Sequence, residues 1–512
     1  MIRATIATLL VAFSLASGGA DNPSTQERLA SQGIDARLSS VRNTALSNSR
    51  SYEWLRELTR TSGPRLTGSP GAAAATRWAL KTMHDIGLQH VHAERWQLAH
   101  GWQRGSATAR LISPADQALT VTSYGWCGST SAPSVDASVV EATWDRYEEF
   151  RNAASSWAGR IVLLTNGSRT ERDALIDNAH LGEVVSLATK AGAVGIITRN
   201  ARPTPPLLHT DPVAFGSAAA CLLPVLDIAP VQEEMLVHLL DTGQPVRIRL
   251  SVHNTFSPGP VSAANVVGDI PGAQRPDDLI VVGAHLDSWD LAVGAADDGV
   301  GVATVLAAAD ALVRSGLRPK RTIRVVLFSG EEQGLLGSRA WLDTHRAALG
   351  NVVAVLMMDW GPGAITGVAL AGHDELAPDL KQITAAMSPA TQIRVRDGYL
   401  TYTDAYSFTL AGLPGMAVIQ DSANYAGVGH SDADTLDAVD PEILVRDSAI
   451  FGMLALGLAD YATRHPYPWS IAATSHRLEQ DGQLETLRLL GMWPPRDCMH
   501  GRIASQLLCS IK

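Results

Sequence analysis

Cysteine is scarce here: four residues, Cys127, Cys221, Cys498 and Cys509, with no CxxC pair and none beside a histidine that reads as catalytic. That leaves structural or inert thiols, with Cys498 and Cys509 the local pair that an exported chain can bridge. Long apolar runs are also missing past the N terminus. No later segment reaches the roughly eighteen residues that a spanning helix needs, which excludes membrane insertion of the mature chain. Blocks of positive charge are absent too. The net charge of −10 comes from dispersed acidic residues, so a nucleic-acid surface is excluded.

What is present begins with MIRATIATLLVAFSLASGGA (1–20), which follows the secretory pattern. Arg3 gives the charged start, IATLLVAFSLA the short apolar core, and Ala16 to Ala20 the small-residue cleavage region. The expectation is export, to the periplasm or outside in a bacterium, or to the lysosome or the medium in a eukaryote. The polar stretch 21–48 reads as a leader or pro-segment. SYEWLRELTR (51–60) and AAAATRWALKTMHDIGL (72–88) have helical spacing, the second stopped by Gly87. Between about 116 and 255, short β-like runs (159–166, 191–199, 222–228) alternate with Gly/Pro/Ser breaks and one helical stretch (181–193), as in an inserted β-rich domain.

Residues 49–115 and 256–468 then read as two parts of one α/β domain, with 469–512 as an extension. Its apolar strands are LIVVGA (279–284), TIRVVLFS (322–329), NVVAVLMM (351–358) and MAVIQ (416–420), separated by helices such as GVGVATVLAAADALV (299–313). Near-continuous Val/Ile/Leu runs predict a mostly parallel mixed sheet sandwiched by helices. Ligands of such sheets bind beyond the carboxyl ends of the strands. The chemistry falls there: the first run leads into His285 and Asp287, the second into Glu331 and Glu332, and the third into Asp359. The fourth is followed ten residues on by His430.

Isolated carboxylates resist burial unless a cation neutralises them. Histidine and carboxylate donors without cysteine suit zinc and allow manganese or cobalt. Two histidines with at least three carboxylates exceed the three protein ligands of a single catalytic zinc. They fit a pair of ions about 3.5–4 Å apart better. In extended backbone the neighbouring Glu331 and Glu332 point apart, so one can hold metal while the other faces the water. The implied chemistry is metal-assisted hydrolysis of an amide or a similar bond.

The stretches HLDSWD…GAADDG, GLRPKRTIRVVLFSGEEQG, MMDWG and HSDADT resemble the zinc aminopeptidase and glutamate carboxypeptidase family of metallopeptidases. The likeness runs from SYEWL…SGPRLTGS near residue 51 to about 463, and WAGRIVLL…ATKAGAVGIITR resembles the protease-associated domain inserted in these enzymes. The resemblance implies two zinc ions, with His285 and Asp359 on one, His430 and Glu332 on the other, and Asp297 bridging. It implies Glu331 as general base, Asp287 behind His285, and a cis peptide at Asp297–Asp298. It also implies short peptides, dipeptides foremost, as substrates of a homodimer. In this scheme Asp298 caps the following helix and Asp290 is a solvated loop residue. Asp404 matches a recurring family stretch, and Tyr402 and Tyr406 are candidate oxyanion donors.

Three rivals remain. GHSDA (429–433) approaches a nucleophile elbow, but neither flank has the strand and helix that an elbow needs. A single-zinc glutaminyl cyclase-type transferase has no use for both His285 and Asp359. A receptor-like ectodomain of the same architecture typically loses ligands, and none is lost here.

Overall fold

The computed structural model describes residues 33–143, 152, 154–165, 171–199, 208–213, 221–387, 392–422, 425–489 and 492–493. The expected signal segment 1–20 and the Cys498/Cys509 pair lie outside the described residues.

An eight-stranded mixed sheet carries the larger body. Its four central strands run parallel: Arg321–Phe328, Arg275–His285, Val352–Met357 and Gly415–Gln420, side by side in that order. Antiparallel Val261–Ile270 and Gln89–Leu98 extend one edge, Ile365–Ala369 and Arg394–Arg396 the other. The continuous apolar runs are buried on both faces, as alternation requires. Ile280, Val282 and Ala284 face one core with Val325 and Leu327, while Val281 faces the other with Val326, Phe328 and Val355.

The first core is covered by helices Val300–Arg314 and Pro441–Tyr461, with Ile34–Ser47 and Pro70–Ile86 alongside. Helix Pro70–Ile86 has the expected signals. Ser69 accepts from the amide of Ala72, Pro70 stands at the first position, and Gly87 takes the left-handed stop at φ 91°. The second core is covered by Leu336–Thr344 and Asp404–Leu410. The extension contributes Ile471–Gln480 and Leu484–Leu489, packed against Leu335, Tyr406 and Leu410.

One expectation needs correction. The stretch read as a leader contains helix Ile34–Ser47, which is built into the core. Leu38, Val41 and Ala45 are buried, and the Arg37 guanidinium donates to Asp460 at 2.7 Å. Its many polar residues occupy the outer face, which hid the buried stripe.

A second eight-stranded sheet is built between residues 107 and 252. Its middle strands Val135–Thr143, Ile161–Thr165, Gly195–Thr198 and Val225–Ile228 are parallel. Helices Glu171–Ala191 and Pro230–Asp241 flank it, so this body is more α/β than the expected β-rich texture. The chain leaves and re-enters the larger body through a two-stranded ladder, Trp102–Gln103 against Thr255–Phe256. Among the described residues no helix is long and apolar enough to cross a membrane.

One buried cation holds the loop at the carboxyl rim. The Arg65 guanidinium, fully buried, donates to the carbonyls of Leu286 at 2.8 Å, Val293 at 2.7 Å and Gly294 at 2.9 Å. A buried acceptor left unpaired costs about 1–3 kcal/mol. Arg65→Met strips three at once, so urea unfolding of the metal-free protein is expected to show a loss of about 3 kcal/mol or more. A loss below about 1 kcal/mol contradicts this role.

Candidate metal centre

Parallel strands bring their carboxyl ends to one edge, and the four central ones deliver their following residues to a common point. His285 closes its strand. Its Nδ1 lies 3.1 Å from the main-chain oxygen of Asp287, an atom that only accepts, so the ring proton sits on Nδ1. The Nε2 lone pair is thereby aimed at Asp297 Oδ1, 3.1 Å away, and Asp359 Oδ1, 3.5 Å away. His430 mirrors this arrangement. Its Nε2 lies 3.2 Å from Asp297 Oδ2 and 3.2 Å from Glu332 Oε2. Asp297 therefore turns one oxygen to each imidazole. The cluster is compact: donor atoms of His285, Asp297 and Glu332, and of His285, Glu331 and Asp359, lie within 4.8 Å of one another.

The electrostatics of this cluster favour a cation. All five ligand candidates except His430 are fully buried, as is Glu331. Among the described residues, Glu331 Oε1, Glu332 Oε1 and Asp359 Oδ2 have no hydrogen-bond partner. Burial, with Asp359 close by, pushes the Glu331 carboxyl well above its usual range. Burial and Asp297 push Glu332 up to about 7, and burial raises Asp359. A tetrahedral ion about 2.0–2.1 Å from nitrogen or oxygen places neighbouring donors about 3.3 Å apart. The observed 3.1–3.5 Å separations fit that requirement. The orphaned oxygens and the hard-to-intermediate donor set fit it as well.

Several neighbours fix these groups in place. Asp298 accepts from the amides of His285 at 3.2 Å and Gly301 at 3.0 Å, which caps the following helix. The Asp297–Asp298 peptide is cis. Asp287 differs from the expectation in detail. Its carboxylate lies 3.6 Å from His285 Nδ1, and its firmer contacts accept from Thr67 Oγ1 at 2.8 Å and from the Glu331 amide at 3.3 Å. Glu331 and Glu332 sit in a turn rather than extended backbone, with Gly330 at φ 83° opening it, so the turn separates their side chains. Asp404 starts helix Asp404–Leu410, buried beside the cluster, and burial pushes it up to about 7. Tyr402 is partly buried just ahead of it, and Tyr406 is a packed aromatic of the C-terminal core.

Asp290 is corrected. It is not a solvated loop residue, because Arg104 donates to it at 2.6 Å with both side chains mostly buried. Sequence reasoning also missed four contributors. Tyr425 Oη donates to Asp297 Oδ2 at 2.7 Å. Asp434 accepts from the amides of Ala296 at 2.6 Å and Asp297 at 3.3 Å. Thr67 steadies Asp287, and Asp211 accepts from His430 Nδ1 at 2.7 Å. Asp434 stands inside the quoted HSDADT stretch, so proximity to His430 was its available signal. Thr67 stands in the quoted SGPRLTGS and Tyr425 five residues before His430, while Asp211 lies far from the motifs in sequence.

Comparison with known proteins agrees with this geometry. Residues 265–454 match peptidase family M28. Carboxypeptidase Q of Rattus norvegicus is 29% identical over 458 residues, covering 88% of this chain and 95% of that one. The crystal structure of a peptidase M28 precursor from Shewanella amazonensis SB2B superposes with a TM-score of 0.76 at 28% identity. It covers 85% of this chain and 99% of that one. The aminopeptidase from Aneurinibacillus sp. strain AM-1 shares the fold, with a TM-score of 0.62 at 20% identity over 85% of this chain and 98% of that one. The candidate ligand cluster at the carboxyl rim falls within the segment that matches peptidase family M28, and the chain is a metallopeptidase.

Proposed function

We propose that the chain is an exported dinuclear zinc exopeptidase that hydrolyses short peptides, dipeptides foremost. The observation that carries this reading is Asp297, whose two oxygens face the coordinating nitrogens of two different histidines at 3.1 and 3.2 Å. His285 and Asp359 would hold one zinc, His430 and Glu332 the other, with Asp297 between them. Bound there, zinc supplies a Lewis acid for the scissile carbonyl and lowers the pKa of water toward 7.

The remaining steps belong to the chain's own residues. Glu331 is the proton carrier. Its backbone is held by Asp287 and its Oε1 is unpaired among the described residues, so the carboxylate is free to take the proton of the attacking water. The proton it takes then passes to the leaving amine. Tyr425 fixes one oxygen of Asp297, and Asp434 fixes the backbone beneath it. Substrate class comes from likeness to carboxypeptidase Q, and the secretory pattern at the N terminus supports export. The second sheet is proposed as a protease-associated domain, and a homodimer is proposed on the same likeness. Retention of both histidine–carboxylate pairs favours this reading over a single-zinc cyclase or a receptor-like ectodomain.

Two predictions follow from this site. Glu331→Gln in zinc-loaded protein is expected to lower kcat by about 10²–10⁴-fold while zinc content and melting temperature stay unchanged. Near-wild-type turnover removes Glu331 from the proton pathway. One dipeptide, tested free, N-acetylated and C-amidated, is expected to be cleaved only in the free form. Cleavage of the amide makes the enzyme an aminopeptidase, and cleavage of the acetylated form makes it a carboxypeptidase. No cleavage of any form moves weight to the cyclase and receptor readings.

A further inference from the structure

We infer that Asp211, contributed by the segment that carries the second sheet, is a positioning residue for His430, which makes that sheet body a working part of the metal centre. The inference rests on the dinuclear reading above. The Nδ1 of His430 faces two acceptors, Asp211 Oδ1 at 2.7 Å and the carbonyl of Thr210 at 3.0 Å. Neither a carboxylate nor a carbonyl donates, so the ring carries its proton on Nδ1 and keeps its lone pair on Nε2. That lone pair points at Glu332 and Asp297.

The backbone of His430 is gripped from the same side. The Thr210 amide donates to its carbonyl at 3.0 Å, and His209 forms an antiparallel bridge with Ser431. His430 itself sits at φ 60°, a left-handed conformation that a non-glycine residue holds only under local restraint.

Residues 209–211 are in turn fastened to the second sheet. The His209 amide donates to Asp227 Oδ2 at 2.8 Å, within the strand Val225–Ile228. The Gly125 amide donates to the Asp211 carbonyl at 2.9 Å, and Thr210 Oγ1 donates to the Ser123 carbonyl at 3.3 Å. Gly125 must be glycine, because a Cβ there would stand 2.2 Å from the ring of Trp289. Trp289 follows Asp287 by two residues, and its ring centroid is 5.9 Å from that of His430. Arg104 completes the clamp, donating to Thr210 Oγ1 at 3.1 Å and to Asp290 at 2.6 Å.

The two imidazoles are therefore oriented from different bodies. His285 is held by the main-chain oxygen of Asp287 in its own loop. His430 is held by a carboxylate across 219 residues of sequence. Carboxylates behind a metal-bound histidine typically contribute about 10–100-fold in metal affinity. Only one of the two ions should feel the loss of Asp211.

The test titrates metal-free full-length protein with zinc against a competing chelator, for wild type, Asp211→Asn, Asp211→Glu and Asp136→Asn. Asp136 is an insert carboxylate paired with Arg249 at 2.6 Å, away from the contact. Wild type and Asp136→Asn are expected to bind two ions alike. Asp211→Asn is expected to weaken one ion by about 10–100-fold and leave the other within about twofold, with the metal-free melting temperature unchanged. Asp211→Glu is expected to recover part of the loss. Two ions held by Asp211→Asn at wild-type affinity overturn the inference alone. Loss of both ions with a lowered metal-free melting temperature gives Asp211 a merely structural role and overturns it too. A wild-type chain that fails to bind a pair of ions overturns the dinuclear reading beneath it.

Discussion

Asp297 presents its two oxygens to two imidazoles, and much of the larger body serves to make that arrangement tolerable. A buried carboxylate among other buried carboxylates is destabilising unless positive charge is shared between them. Here Glu331, Glu332, Asp359 and Asp297 meet within one rim, all fully buried. Two imidazoles offering lone pairs do not neutralise that charge. Two divalent cations would, and the spacing of the donors is that of a coordination shell.

The fold supplies the geometry through parallel strands. Because the strands ending at His285, Phe328, Met357 and Gln420 run the same way, whatever follows each is delivered to one edge. Rigidity comes from beneath. The two helices Val300–Arg314 and Pro441–Tyr461 fix the sheet, Asp298 ties the first of them to the amide of His285, and Arg65 pins the intervening loop. The second sheet adds a support from above at His430. The Trp102, Trp126 and Trp289 rings at the junction fill the space between the two bodies, with Trp102 and Trp126 stacked at 5.8 Å and Trp126 edge-on to Trp289. Aromatic packing of this kind contributes beyond the area it buries.

How much of this is legible in the sequence depends on the range of the interaction. The central strands could be read because strands buried on both faces are apolar without interruption, and their lengths matched to within a few residues. The candidate ligands His285, Glu332 and Asp359 could be picked out because each closely follows such a run, whereas Asp297 came only from the resemblance. Helix Ile34–Ser47 was missed because only a narrow stripe of it is buried under a polar face. Edge strand Arg394–Arg396 was missed because its short length leaves little pattern. Contacts made across the fold left no local trace: Arg104 with Asp290 spans 186 residues, and Tyr425 with Asp297 spans 128. A lone aspartate in HTDP carries no hint that it faces a histidine far downstream. Such residues emerge only when the chain is folded.

The most direct test of the central claim is anomalous diffraction at the zinc edge from crystals of the zinc-loaded protein. The account predicts two peaks flanking Asp297, one against His285 and Asp359 and the other against His430 and Glu332. A single peak, or none in contact with Asp297, would contradict it.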